Sequence, residues 1–190
     1  MRRARWRGAE GERGAALVEA ALLIPIAVLI TFGLIEFSSA YQSSSVASAS
    51  ARSGARTASA EALLPTYATD AAAAAATALH SVAATEPQFM WIYKADPTTG
   101  LPSSGGFTTC STNCISYNWI PSSRTFDTAH PGGGGWPYNT QNACNASQWD
   151  AVGVYVRLQH AFLTKLFGTS INLSDHAVFR LEPAPTQLCP

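Results

Sequence analysis

Residues 13–37 read Arg13-Gly14-Ala15-Ala16-Leu17-Val18-Glu19-Ala20-Ala21-Leu22-Leu23-Ile24-Pro25-Ile26-Ala27-Val28-Leu29-Ile30-Thr31-Phe32-Gly33-Leu34-Ile35-Glu36-Phe37. Over 20–35 no side chain is charged, and Thr31 is the one strongly polar group. Extended back across Glu19 to Ala15, the run has 21 residues, about the 20 that a helix needs to cross a bilayer. Pro25 removes one backbone donor and is expected to bend the helix, which membrane helices tolerate. The arginines of the first 14 residues, Arg2, Arg3, Arg5, Arg7 and Arg13, outnumber Glu10 and Glu12 and leave a net charge of +3. Positive charge on one flank alone puts residues 1–14 in the cytoplasm and exports the rest.

Outward from this run the chain is lean in charge. Charged residues make up 13% of its 190 residues and the formal net charge is zero. That excludes a disordered polyelectrolyte, and it offers no basic excess for a nucleic-acid partner. The hydrophobic share of 47% is ordinary, but alanine, which builds helix and little core, supplies 33 of those residues.

Two carboxylates flank or enter the apolar run. Glu19 inside it is costly, by roughly 2.5–3.5 kcal/mol on insertion scales for comparable charges, less near the headgroups. Snorkelling to the headgroups is one reading. The other is a partner charge: cutting after Gly14 would create an ammonium at Ala15, about 6 Å of helix from Glu19, and the two would pair within one chain or between neighbours. Glu36 lies about 25 Å of helix from Glu19 and is expected to be a solvated carboxylate in the opposite headgroup layer.

The string Arg13 to Glu19 resembles the processing site of type IV prepilins, whose leaders are cut after the glycine by a membrane aspartyl peptidase on the cytoplasmic side. That resemblance implies cleavage between Gly14 and Ala15 and makes Glu19 the fifth residue of the mature chain. A wider resemblance, to TadE-like proteins, is carried by residues 13–23 with Pro25, by Phe32-Gly33, Glu36-Phe37 and Tyr41, and by Ala51-Arg52-Ser53-Gly54-Ala55-Arg56. Residues 152–159 and 174–183 look like the closing strands of such proteins, and 87–150 match no family. The resemblance implies a minor pilin or pseudopilin of tight-adherence, Flp-type pilus systems. The implied partners are a prepilin peptidase, other pilin or pseudopilin subunits, the assembly machinery and the lipid bilayer. It implies no catalysis. Two other readings stay open: a secretory signal cut after Ser38-Ser39-Ala40, and a plain single-pass anchor carrying an external binding domain that uses Trp119, Trp136 and Trp149.

The fold class expected is α+β. The membrane helix is expected to continue through the small-residue stretch 38–60. There, Val46, Ala49 and Ser53 share one face, and Ala47, Ala51 and Ala58 form a second strip. Arg52 and Arg56, one turn apart, read as a solvated face or as a contact for a partner subunit. Leu64-Pro65 breaks the pattern, and Thr66 is placed to cap a second helix over 67–84, with six alanines at 71–76. His80 near its end suits the negative helix terminus. Aromatic and β-branched residues 89–93, the stretch 115–120, the alternating 152–159 and the last stretch 177–181 read as strands, the last two paired antiparallel. Residues 161–167 read as a short helix or turn, and Gly132 to Gly135 as a flexible tip.

The expected organisation is a basic leader over 1–14, a transmembrane and extended helix over 15–60, an alanine-rich helix over 61–86, and an exported β-rich domain over 87–190 with a long loop at 96–149. Cys110, Cys114, Cys144 and Cys189 all fall on the exported side, where disulfides persist. We prefer Cys110 with Cys114 and Cys144 with Cys189, because the first two are close in sequence; other connectivities stay open. The cysteine spacing lacks a second short pair and a histidine at ligand distance, so neither metal nor cofactor is expected. No Gly-x-Ser-x-Gly elbow or Gly-Lys-Ser/Thr phosphate loop occurs, so no enzyme activity is expected.

Overall fold

The computed structural model describes residues 9–103, 105–145, 148–165 and 168–189, with side chains described from residue 14 onward. Most of the expected leader, and Leu166 and Phe167 of the expected 161–167 turn, therefore lie outside the described residues or side chains. The chain divides into two compact units, Met1–Ser39 and Ala40–Pro190.

The elements run α1 (Ala9–Ala60), α2 (Tyr67–Ala78), β1 (Pro87–Ala95), β2 (Cys114–Ile120), β3 (Thr125–Phe126), β4 (Gly132–Gly135), β5 (Ala151–Ala161) and β6 (Ser170–Arg180), with short 3-10 turns at Leu79–Ser81, Tyr138–Thr140 and Thr186–Leu188. The strands form one antiparallel sheet in the order β3-β2-β1-β5-β6, with β4 also paired to β2. The fold is α+β.

Alternation along the strands makes the sheet two-faced. Met90 and Ile92 of β1 and Val152, Val154, Val156 and Leu158 of β5 join the alanines of α1 and α2 in the main core. Trp91, Tyr93 and Tyr155 point to the other face, where Phe107 lies over Tyr155 with ring centroids 4.4 Å apart. Gly153 is required there: a Cβ would run into the Tyr93 ring, which crosses it from the neighbouring strand. The Tyr93 hydroxyl then donates to the carbonyl of Gly100 at 3.0 Å. Burial pushes the Tyr93 phenol pKa above its ordinary value.

The α1–α2 contact is close because its residues are small. Ala47, Ala51, Ala55 and Ala58 are all buried, whereas Ala49 faces solvent, so the second of the two expected strips is the packed one. A Cβ at Gly54 would lie 3.2 Å from the carbonyl oxygen of Ala71, 3.2 Å from the Ala75 Cβ and 3.4 Å from Val154 Cγ1. Beside it, the Ser50 hydroxyl donates to the Ala75 carbonyl at 2.9 Å and Ser53 to Ala74 at 3.3 Å.

Several local expectations are corrected. Gly132 to Gly135 is not a flexible tip but strand β4, paired to β2. Glycine is needed because the backbones nearly touch: a Cβ at Gly134 would overlap the Ser111 carbonyl, and one at Gly133 the Cys114 carbonyl. The second helix ends at Ala78 rather than near 84. Beyond it the Arg124 guanidinium donates to the carbonyls of His80 at 2.9 Å and Val82 at 2.8 Å, drawing the chain out of helical register. Thr66 occupies the N-cap position, but its side chain makes no capping bond. The last strand begins at Ser170, pairing with β5 from Ala151↔Arg180 to Ala161↔Ser170. Of the two readings left open for 161–167, the described part follows the turn: Ala161 ends β5, and residues 162–165 are not helical.

Two disulfides, Cys110–Cys114 and Cys144–Cys189, tie down the loops. The second closes 45 residues and the first 4. On loop entropy, replacing the second pair by serine is expected to lower the unfolding free energy by about 4 kcal/mol and replacing the first by about 2 kcal/mol; equal losses in urea titration would contradict this. Gly54→Val is expected to lower stability by about 1–3 kcal/mol, because a branched side chain must push α1 off α2 and β5. Gly106→Ala, where a Cβ meets nothing within 4 Å, should change it by less than about 0.5 kcal/mol.

Candidate functional site

The segment that carries the sequence motifs is the start of α1. It is the one helix among the described residues long and apolar enough to cross a membrane, by length and composition. Leu17, Val18, Leu22, Leu23, Ile24, Ile26, Leu29, Ile30, Leu34, Ile35 and Phe37 are all exposed. So large an exposed apolar surface is consistent with a membrane anchor. The one hydroxyl within it is satisfied internally, Thr31 Oγ1 donating to the Ala27 carbonyl at 2.8 Å. Pro25 lies inside α1, so the carbonyl one turn before it lacks its usual donor.

Gly14 and Ala15 stand in this helix, exposed. A Cβ at Gly14 would meet nothing within 4 Å, so the fold gives no reason for glycine there. Glu19 is exposed, and among the described residues it makes no ion pair. Glu36 departs from expectation: instead of a solvated carboxylate it is fully buried, at 0% exposure. It shares a helix face with Gly33, also buried, while Phe32, Leu34, Ile35 and Phe37 around them are exposed. Arg52 and Arg56 face solvent.

A buried polar cluster was not legible in the sequence. Ser43 Oγ donates to Glu86 Oε2 at 2.8 Å, and His160 Nδ1 lies 2.9 Å from Glu86 Oε1 and 3.2 Å from Ser43 Oγ. All three residues are buried. The residue types are those of a hydrolase triad, but the geometry is not. In a triad one imidazole nitrogen faces the nucleophile and the other the carboxylate; here Nδ1 faces both, and the serine proton goes to Glu86. The cluster braces α1 to the start of β1 and the end of β5. Its members are 43, 74 and 117 positions apart in pairs, so no local pattern announces it.

Of the three tryptophans proposed for an external ligand, Trp119 and Trp136 are core residues. Trp119 and Trp136 are 7% and 2% exposed. Trp119 Nε1 donates to the Ala84 carbonyl at 2.6 Å, and Trp136 meets Tyr67 edge-on at 6.1 Å while its carbonyl accepts the Tyr67 hydroxyl at 2.5 Å. Trp149 is half-buried beside a hollow of about 340 Å³ lined by Lys94, Pro97 and Arg180. Lys94 there is engaged by Asp150 at 2.7 Å. Among the described residues, no group of three or more His, Cys, Asp or Glu side chains is arranged to hold a metal ion.

A family model described as TadE-like protein matches residues 14–56. No curated protein and no solved structure matches the chain. The match opens at Gly14 and ends at Arg56, so it spans the apolar run and the small-residue face that packs on α2. The TadE-like family is a structural family associated with tight-adherence pili, and the similarity of this chain to it covers residues 14–56, less than half of its length.

Proposed function

We propose that this chain is a minor pilin-like, or pseudopilin, structural protein of a tight-adherence pilus, made as a membrane-held precursor. The observation that carries the reading is the TadE-like match beginning at Gly14, at the head of a helix whose large apolar side chains are exposed. In this reading residues 1–14 are a cytoplasmic basic leader, 15–60 the transmembrane and extended helix, 61–86 the alanine-rich helix, and 87–190 the exported domain. A prepilin peptidase cuts between Gly14 and Ala15. The new ammonium and Glu19 then neutralise each other within or between subunits, because neither charge is cheap alone in lipid. Pairing between subunits would set their axial stagger. A glycine that the fold does not require, with an exposed carboxylate one turn beyond Ala15, supports this reading.

The disulfides agree with an exported domain, since such bonds persist outside the cytoplasm. The alternative, a plain anchor bearing a tryptophan-based binding surface, keeps only Trp149, because Trp119 and Trp136 belong to the core.

In the host, Gly14→Leu should accumulate uncut precursor, because the peptidase needs close backbone approach at that residue. Glu19→Ala should still insert, since removing a charge makes insertion easier, and should be recovered with the other pilus components several-fold less than wild type. Normal processing of the Gly14 variant would remove the peptidase from the account. Wild-type co-purification of the Glu19 variant would remove the assembly role from Glu19.

A further inference from the structure

The sheet ends on β3 at one side and on β6 at the other. Strand β3 is 2 residues long and β6 is 11. Beyond the paired residues, the Phe162 amide donates to the Thr169 carbonyl at 3.1 Å and the Leu181 amide to the Asp150 carbonyl at 2.9 Å, both in the register of the β5–β6 ladder. Hydrogen-bonded and non-hydrogen-bonded pairs alternate along an antiparallel ladder. The odd-numbered residues of β6 therefore turn their amides and carbonyls to β5, and the even-numbered ones turn theirs outward. Three contacts agree with this parity. The Arg180 carbonyl accepts from the Ser59 hydroxyl at 2.9 Å, the Glu182 amide donates to the Ser59 carbonyl at 3.0 Å, and the His176 amide donates to Asp175 Oδ1 at 2.8 Å. Among the described residues, nothing bonds the outward amides of Asn172, Ser174 and Val178.

Proteins usually blunt such an edge with proline, lysine, a bulge or a covering element. Over 170–178 β6 has neither proline nor lysine, and its pairing with β5 shows no register shift. Its one protection there is the Asp175 carboxylate, which closes a single amide. Asp175 is the partner of Val156, a core residue, so it lies on the helix-covered side of the sheet. Ile171 and Phe179, both exposed, share that side. A hollow of about 350 Å³ separates Asp175 from α1 and is lined by Tyr41, Ser44, Ser45, Ser48 and Arg52. Among the described residues Arg52 makes no ion pair.

We propose that the free edge of β6 takes an extended strand of a partner protein, with apolar side chains facing Ile171 and Phe179 and an uncharged amide side chain opposite Asp175. A strand is the occupant because an extended backbone presents amides and carbonyls at the repeat of the outward groups. An amide side chain suits the hollow because it can accept from Arg52 and donate to Asp175, whereas a charge of either sign would meet a like charge there. As an incoming carbonyl takes the His176 amide, Asp175 Oδ1 is released for that contact. A second copy of this chain is poorly matched. Two-fold pairing centred on Ser174, the middle of the free edge, would set each Asp175 opposite a Leu173 and diagonal to the other Asp175, about 7–8 Å away. All of these residues lie within Ala40–Pro190, and the edge is open whether or not the chain is a pilin.

The test uses the full chain in detergent micelles and the synthetic peptide Val-Thr-Val-Thr-Gln-Thr-Val-Thr-Val, with hydrogen exchange read amide by amide. In the free chain the Asn172, Ser174 and Val178 amides should exchange fast, and saturating peptide should slow them several-fold. In an antiparallel fit that sets the glutamine opposite Asp175, the threonine amides face β6 and the valine amides face away. Peptide N-methylated at the valines should therefore still protect the edge, and peptide N-methylated at the threonines should not. Ser174→Pro removes an outward amide and leaves the β5 ladder whole, as an edge strand tolerates, and should weaken peptide binding several-fold. Absence of protection by the unmodified peptide, or equal protection by both methylated forms, overturns the proposal. So does slow exchange of these amides in the free chain, which would mean that the edge is already covered, by a second copy if the protection rises with protein concentration. Wild-type affinity in a folded Ser174→Pro variant overturns it as well.

Discussion

The fold of residues 40–190 depends on how closely one face of α1 approaches α2 and the sheet. That approach is set by what is missing from the face: Ala47, Ala51, Gly54, Ala55 and Ala58 carry a methyl group or less. A methyl-lined contact buries little apolar area per residue, so stability comes from short distances and from serine hydroxyls that reach across to backbone carbonyls. Ser50 and Ser53 serve α2 in this way and Ser59 serves the end of β6. The larger share of hydrophobic burial comes from β1 and β5, whose Met90, Ile92, Val154, Val156 and Leu158 fill the space beneath the helices.

The same helix therefore carries two compositions along its length. Over 15–37 its side chains are mostly large, apolar and exposed. From 40 onward they are small and packed on one face, with Tyr41, Arg52 and Arg56 on the other. A large side chain at Gly54 would separate the helices, and a run of small residues over 20–35 would not hold a bilayer. The family match ends at Arg56, close to where this packed face ends, so the matched segment takes in both the apolar run and the packing face and crosses the boundary between the two units. The sheet and both disulfides lie outside the matched segment.

The elements legible in the sequence are those whose cause is local. The apolar run is self-evident, and the alternation Val152, Val154, Val156, Leu158 declares a strand buried on one face. The aromatic stretch 89–93 does the same for β1. Elements caused by distant neighbours were not legible. A row of four glycines has no side-chain period, and β4 can pair with β2 only because glycine puts no Cβ where the Ser111 and Cys114 carbonyls lie. Strand β6 is an edge strand with polar and exposed positions on both faces, so only its apolar end could be read. The tryptophans in the Gly- and Ser-rich region look like surface residues until Ala84 and Tyr67 are seen against them. At the candidate site the balance is reversed. Gly14 and Glu19 were legible as a motif, and the fold contributes only that both stand exposed, with open space around Gly14. The Ser43–Glu86–His160 brace was not legible, because its members come from distant parts of the chain, and neither was the burial of Glu36.

The measurement that bears most directly on the assignment is the N-terminal residue of the protein purified from the membranes of its host. The pilin-like reading predicts Ala15, with Glu19 as the fifth residue of the mature chain. A start at Tyr41 would make the apolar run a removed secretory signal. An intact start at Met1 or Arg2 would make it an ordinary anchor, and either result would contradict the pilin-like assignment.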